Sequence, residues 1–140
     1  MKRWACGLVV LTVCGVLSQT EGPAGAQGSR TPTVKEVMER LHKGANSPLT
    51  TIRADLQADL PDWPEVQKAA KDFVTLGAAL GKNNPPKGDR QSWARLTAQY
   101  LENAKALDAA AQRRDQKAAL VAHSRLNESC KGCHSAHRPN

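Results

Sequence analysis

From Thr33 onward the apolar residues recur at helical spacing, and no stretch alternates with the two-residue period of a half-buried strand. Thr33 with Glu36 three residues on reads as a capping box, and Val34, Val37, Met38, Leu41 and Ala45 then follow one helical face to about Gly44. Ser47-Pro48 sets a cap and a Pro in the order that starts a second stretch, with Leu49, Ile52, Leu56 and Leu60 on one side. The two pieces are compatible with a single kinked helix. Asp62 and Pro64 open the next helix, whose stripe is Val66, Ala70, Phe73, Leu76 and Leu80, with Gly81 as its stop. Lys82 to Gly88, containing Asn83-Asn84-Pro85-Pro86, reads as a connector loop. A third helix beginning near Asp89 or Ser92 buries Trp93, Leu96, Tyr100, Ala104, Leu107 and Ala111. After a charged turn from Gln112 to Asp115, a fourth buries Ala119, Ala122, Leu126, Cys130, Cys133 and His137. The pattern predicts an all-α fold, an antiparallel four-helix bundle around a core cofactor.

The 140 residues suit one domain behind a processing segment. Met1-Lys2-Arg3 is a short basic start, Trp4 to Leu17 is apolar, and Ala24-Gly25-Ala26 has the form of a cleavage site. The expectation is therefore a secretory signal over 1–26 and a mature domain over 27–140, exported, periplasmic and soluble, with no transmembrane segment. Reading Leu11-Thr12-Val13-Cys14 as a lipobox with a lipid anchor at Cys14 is disfavoured, because Val13 stands where a small residue is wanted. Cleavage removes Cys6 and Cys14 and leaves Cys130 and Cys133 as the pair in the mature chain.

The formal charge of +7 keeps the protein soluble and suits steering toward an acidic partner. No Lys/Arg run with interleaved aromatics appears, and aromatics make up only 4% of the chain, which argues against a nucleic-acid partner.

The chemistry gathers at the C-terminus. Cys130, Cys133 and His134 have the Cys-x-x-Cys-His spacing of a c-type haem attachment site. Two thiols three residues apart on a helix can bond the two vinyl groups of one porphyrin, and the next imidazole then lies under the iron as proximal ligand. The competing readings are weaker. A thioredoxin-like pair needs a preceding strand. A zinc site would need Cys130, Cys133, His134 and His137 to converge on one tetrahedral point, yet they fan around a single helix. Asp and Glu are dispersed on polar faces, so no acid/base or nucleophile constellation suggests an enzyme.

Over about the last thirty-five residues the chain resembles the class II cytochromes c, the cytochrome c prime type. That family's ending, Cys-Lys-x-Cys-His followed by an aromatic and then Arg, is similar to Cys130-Lys131-Gly132-Cys133-His134-Ser135-Ala136-His137-Arg138, with His137 at the aromatic position. The resemblance implies one covalent haem c on the C-terminal helix, bound by Cys130, Cys133, His134 and Arg138. It also places the sixth iron position on the first helix, where Met38 is the expected distal ligand, His42 the alternative, and Leu41 a possible apolar blocker of an open site. A solvent-edge place is expected for His137 and packing against the haem for His123, while Trp63, Phe73, Trp93 and Tyr100 read as core. The expected function is one-electron carriage between redox partner proteins, as a monomer or homodimer. The alternatives are a five-coordinate protein that binds nitric oxide or carbon monoxide, and a structural or zinc-binding helical domain.

Overall fold

The computed structural model describes residues 30–139 and contains five helices, with no strand among the described residues. The expected signal segment, including Cys6 and Cys14, lies outside the described residues.

Helix α1 (Val34–His42) starts on the anticipated capping box. Glu36 N donates to Thr33 Oγ1 at 3.3 Å, and the Glu36 carboxylate accepts from Thr33 N at 2.8 Å while also pairing with Arg30. The helix ends where Lys43 turns extended and Gly44 takes φ +91°, a left-handed conformation that an L side chain would resist. Helix α2 (Pro48–Gln57) follows as a separate element, so the two pieces are not one kinked helix. Ala45 falls in the turn and is exposed, and Leu60 lies past the end of α2 with 91% of its surface open.

The three long helices begin on one device, an aspartate that accepts from a first-turn amide. Asp62 caps α3 (Trp63–Leu80), Asp89 caps α4 (Arg90–Gln112), and Asp115 caps α5 (Gln116–His137). The stop of α3 differs from the expected glycine cap. Gly81 stays right-handed at φ −64°, and Asn83 instead closes the end by donating from Nδ2 to the Ala79 carbonyl at 2.7 Å.

Cross-helix contacts fix the directions. Gln67 donates to the Ala111 carbonyl at 3.0 Å, while Gly81 at the far end of α3 faces Thr97, so α3 and α4 are antiparallel. Asn103 donates to the Arg125 carbonyl at 3.2 Å and Leu96 approaches Gly132, which makes α4 and α5 antiparallel. His123 donates to the Leu49 carbonyl at 2.8 Å and Gln116 to that of Leu56 at 2.8 Å, so α2 runs against α5. The result is an all-helical bundle in which two short helices precede three long ones.

Its core holds Val37, Leu41, Ile52, Leu56, Val66, Phe73, Leu80, Leu107 and Leu126, all fully buried. On the long helices Ala70, Ala104, Ala110, Ala111 and Ala119 are buried among these larger residues, and such small side chains allow helices to approach closely. No helix among the described residues is long and apolar enough to cross a membrane.

Leu107→Ala is expected to cost about 2–5 kcal/mol in denaturant unfolding, against less than about 0.5 kcal/mol for Val121→Ala on the exposed side of α5. Arg30 and Thr33 hold the Glu36 carboxyl down to about 2, from an ordinary value of 4.5. Because the folded value is the lower one, the cap's contribution is complete above the unfolded value and disappears as pH falls from there toward 2. The Tm difference between the native chain and Glu36→Gln should accordingly be largest near neutrality and shrink to nothing at the acid end.

Candidate cofactor site

At the C-terminal end of α5 the bundle opens into a cavity of about 440 Å³ whose walls are overwhelmingly apolar. One wall is α5, contributing Ser129, Cys130, Cys133, His134 and His137, with Arg138 and Pro139 beyond it. α1 contributes Val34, Lys35, Met38 and His42. Trp93, Leu96, Thr97 and Tyr100 of α4 complete it with Leu80 and Pro86. The residues expected to hold the haem on α5 and those expected to face it from α1 therefore line one space.

On α5 the helical turn sets the spacing. Cys130 and Cys133 are free thiols, each half-buried, and His134 is exposed with no hydrogen bond engaging its imidazole. Burial pushes both thiols above their ordinary value, so neither is the activated thiolate that a redox pair would display. The zinc reading also lacks its fourth ligand, because both ring nitrogens of His137 are in use. Nδ1–H donates to the Lys87 carbonyl at 2.7 Å, and Nε2 meets Ser92 Oγ at 3.2 Å.

His137 is buried and does not take the solvent-edge place expected of it. Its ring meets Trp93 edge to face at 5.2 Å, and Trp93 Nε1 donates to the Asn83 carbonyl at 2.9 Å. Gly88 adopts φ +82° against the end of α5, where a Cβ would come within 2.8 Å of the Ala136 carbonyl. The segment 82–88, expected to be a mere connector, is thereby fastened to α5, and Pro86 becomes part of the cavity wall. His123 departs from expectation in the other direction: it faces α2 and does not line the cavity.

The α1 side holds Met38 and His42, the residues expected as alternatives for a sixth iron ligand. Met38 is half-buried and packs against the core, and His42 lies one turn along. Leu41 points into the core and does not line the cavity, which leaves it no blocking role there. His42 Nε2 is 3.1 Å from the Tyr100 hydroxyl, and the His42 ring meets Phe73 and Tyr100 edge to face. Burial, and then the nearby His134, lower the His42 imidazole to about 4, so it is neutral near neutral pH. Its Nδ1 is buried with no hydrogen-bond partner, a state no other side-chain nitrogen or oxygen among the described residues shares.

Tyr100 and Trp93 are wall as well as core. Burial, with Cys130 and Cys133 close by, raises the Tyr100 hydroxyl far above its ordinary value, so it stays protonated. Its ring fits because α3 has a glycine opposite: a Cβ on Gly77 would lie 2.9 Å from Tyr100 Cε1. Helical spacing marked Tyr100 as inward-facing, but a core aromatic and a cavity-wall aromatic have the same period. Lys35, which periodicity placed on no functional face, joins Arg138 at the cavity lining as a second cation.

These residues fit a covalently held porphyrin. Two half-buried thiols and an unengaged imidazole face an apolar space, with two cations suited to propionates and an unpaired imidazole nitrogen in the opposite wall. Gly77→Ala should lower unfolding free energy by about 1–3 kcal/mol through overpacking against Tyr100, measured by denaturant titration.

Residues 88–138, which span α4 and α5, match the family model described as Cytochrome C', a class II cytochrome c family. No curated protein and no solved structure matches the chain.

Proposed function

With its last two helices matching the Cytochrome C' family, we propose that this protein is an exported, mono-haem c-type cytochrome that carries single electrons. The observation that carries the reading is the shared cavity, in which Cys130, Cys133 and His134 of α5 and Met38 of α1 line the same apolar space. In this reading α1 and α2 together fill the first place of a four-helix bundle. When bound, haem supplies an iron that takes up and gives back one electron.

The chain's own residues have separate tasks. Cys130 and Cys133 would hold the ring by thioether bonds, and His134 would bond the iron. Met38 would supply the iron's second protein ligand, a thioether, which favours the reduced metal and raises the potential. Trp93, Leu96 and Tyr100 keep water from the interior, while Lys35 and Arg138 meet the propionates. The remaining positive charge at this end, including exposed Lys131, suits an acidic redox partner. The protein acts in the periplasm after loss of residues 1–26, as a monomer or homodimer.

The mature holoprotein should exceed its polypeptide mass by one haem, and Cys130→Ser/Cys133→Ser should lose that increment. A mass without haem in the native chain would end this reading. The ferric spectrum should show the weak far-red band of thioether ligation and lose it in Met38→Leu, and the ferrous form should resist carbon monoxide. Rapid carbon monoxide binding with a high-spin spectrum would instead select the five-coordinate alternative.

A further inference from the structure

Met38 and His42 lie one turn apart on α1 and line the same cavity. Imidazole nitrogen suits iron well, and a thioether is a softer ligand than ferric iron prefers. A chain that uses the methionine must therefore keep the nearby imidazole away from the metal. The structure contains such a restraint. His42 Nε2 is engaged by the Tyr100 hydroxyl at 3.1 Å. The imidazole also lies edge to face with Phe73 at 5.8 Å and with Tyr100 at 6.0 Å. Tyr100 in turn is held by α3, where bare Gly77 admits its ring.

The hydrogen bond can run from Tyr100 O–H to Nε2, or from Nε2–H to the hydroxyl. Nε2 is occupied in either case. The second arrangement leaves Nδ1 with a bare lone pair, and that atom is buried without a partner. His42 is thus an incompletely satisfied imidazole on the wall of the cavity that Met38 also lines, tied back by one hydroxyl.

We propose that Tyr100 is a ligand-selecting residue, whose hydroxyl holds His42 against Phe73 so that the Met38 thioether, and not the His42 imidazole, supplies the distal bond. The proposal rests on Met38 ligation. It assigns Tyr100 a positioning role exerted through His42, with no bond of its own to the cofactor.

The test is the ferric absorption and electron paramagnetic resonance spectrum of four holoproteins: the native chain, Met38→Leu, Tyr100→Phe, and Tyr100→Phe/His42→Leu. The native chain should show the far-red thioether band that Met38→Leu lacks. Tyr100→Phe, which keeps the ring and removes one oxygen, should lose most of that band, acquire a low-spin spectrum with two imidazole ligands, and have a lower midpoint potential. Adding His42→Leu should restore the band. If Tyr100→Phe keeps the band at native strength, the ligand-selecting role is overturned while Met38 ligation stands. Loss of the band that His42→Leu fails to restore also overturns it, because the tyrosine would then act through packing alone. Absence of the band from the native chain overturns Met38 ligation itself, and this inference with it.

Discussion

The ring of Tyr100 lies against the bare Cα of Gly77, and the cavity owes its form to that contact. A methyl group at position 77 would come within 2.9 Å of the ring, so α3 and α4 keep their spacing only because the side chain is absent there. With the ring seated, the Tyr100 hydroxyl reaches His42 and ties α1 to α4 across the space beside Cys130 and Cys133. A polar contact inside an apolar wall is costly to break, because water is not at hand to replace it.

The same end of the bundle is closed from the other side by the segment between α3 and α4. That closure is built from modest interactions acting together: Trp93 on the Asn83 carbonyl, His137 on the Lys87 carbonyl, and Gly88 pressed against the turn of α5 that carries Ala136. His137 stands where the resemblance expects an aromatic residue. The imidazole keeps an aromatic edge for Trp93 and adds two polar contacts. Loop and α5 thereby become one mechanical unit, which steadies the helix that brings Cys130, Cys133 and His134 to the cavity.

Elsewhere the bundle relies on small side chains. Buried alanines recur along α3, α4 and α5, interspersed with the larger Val66, Phe73, Leu80, Leu107 and Leu126. Close helix approach along the shaft contrasts with the wide, aromatic-lined space at one end. A small domain has little apolar surface to spare, so a macrocycle held in this cavity would add apolar contacts to those of the core.

Much of this was legible in the amino-acid order. Capping aspartates, prolines in first turns and the helical recurrence of apolar residues are local signals, and they located the long helices and the inward faces of Cys130 and Cys133. The attachment motif is also local, since its chemistry depends on three residues within one turn and a half. The rest depends on partners distant in the chain. Periodicity cannot distinguish a core tyrosine from one that lines a cavity, and the resemblance led to a solvent-edge place for His137, which is buried, and a place against the haem for His123, which faces α2. Both histidines are directed by backbone carbonyls, Lys87 and Leu49, that only tertiary packing brings near. Sequence determined which helices form and which residues could bond a haem; tertiary structure decided which side chains share the cavity, because a hydrogen bond between distant residues leaves no trace in the spacing of either.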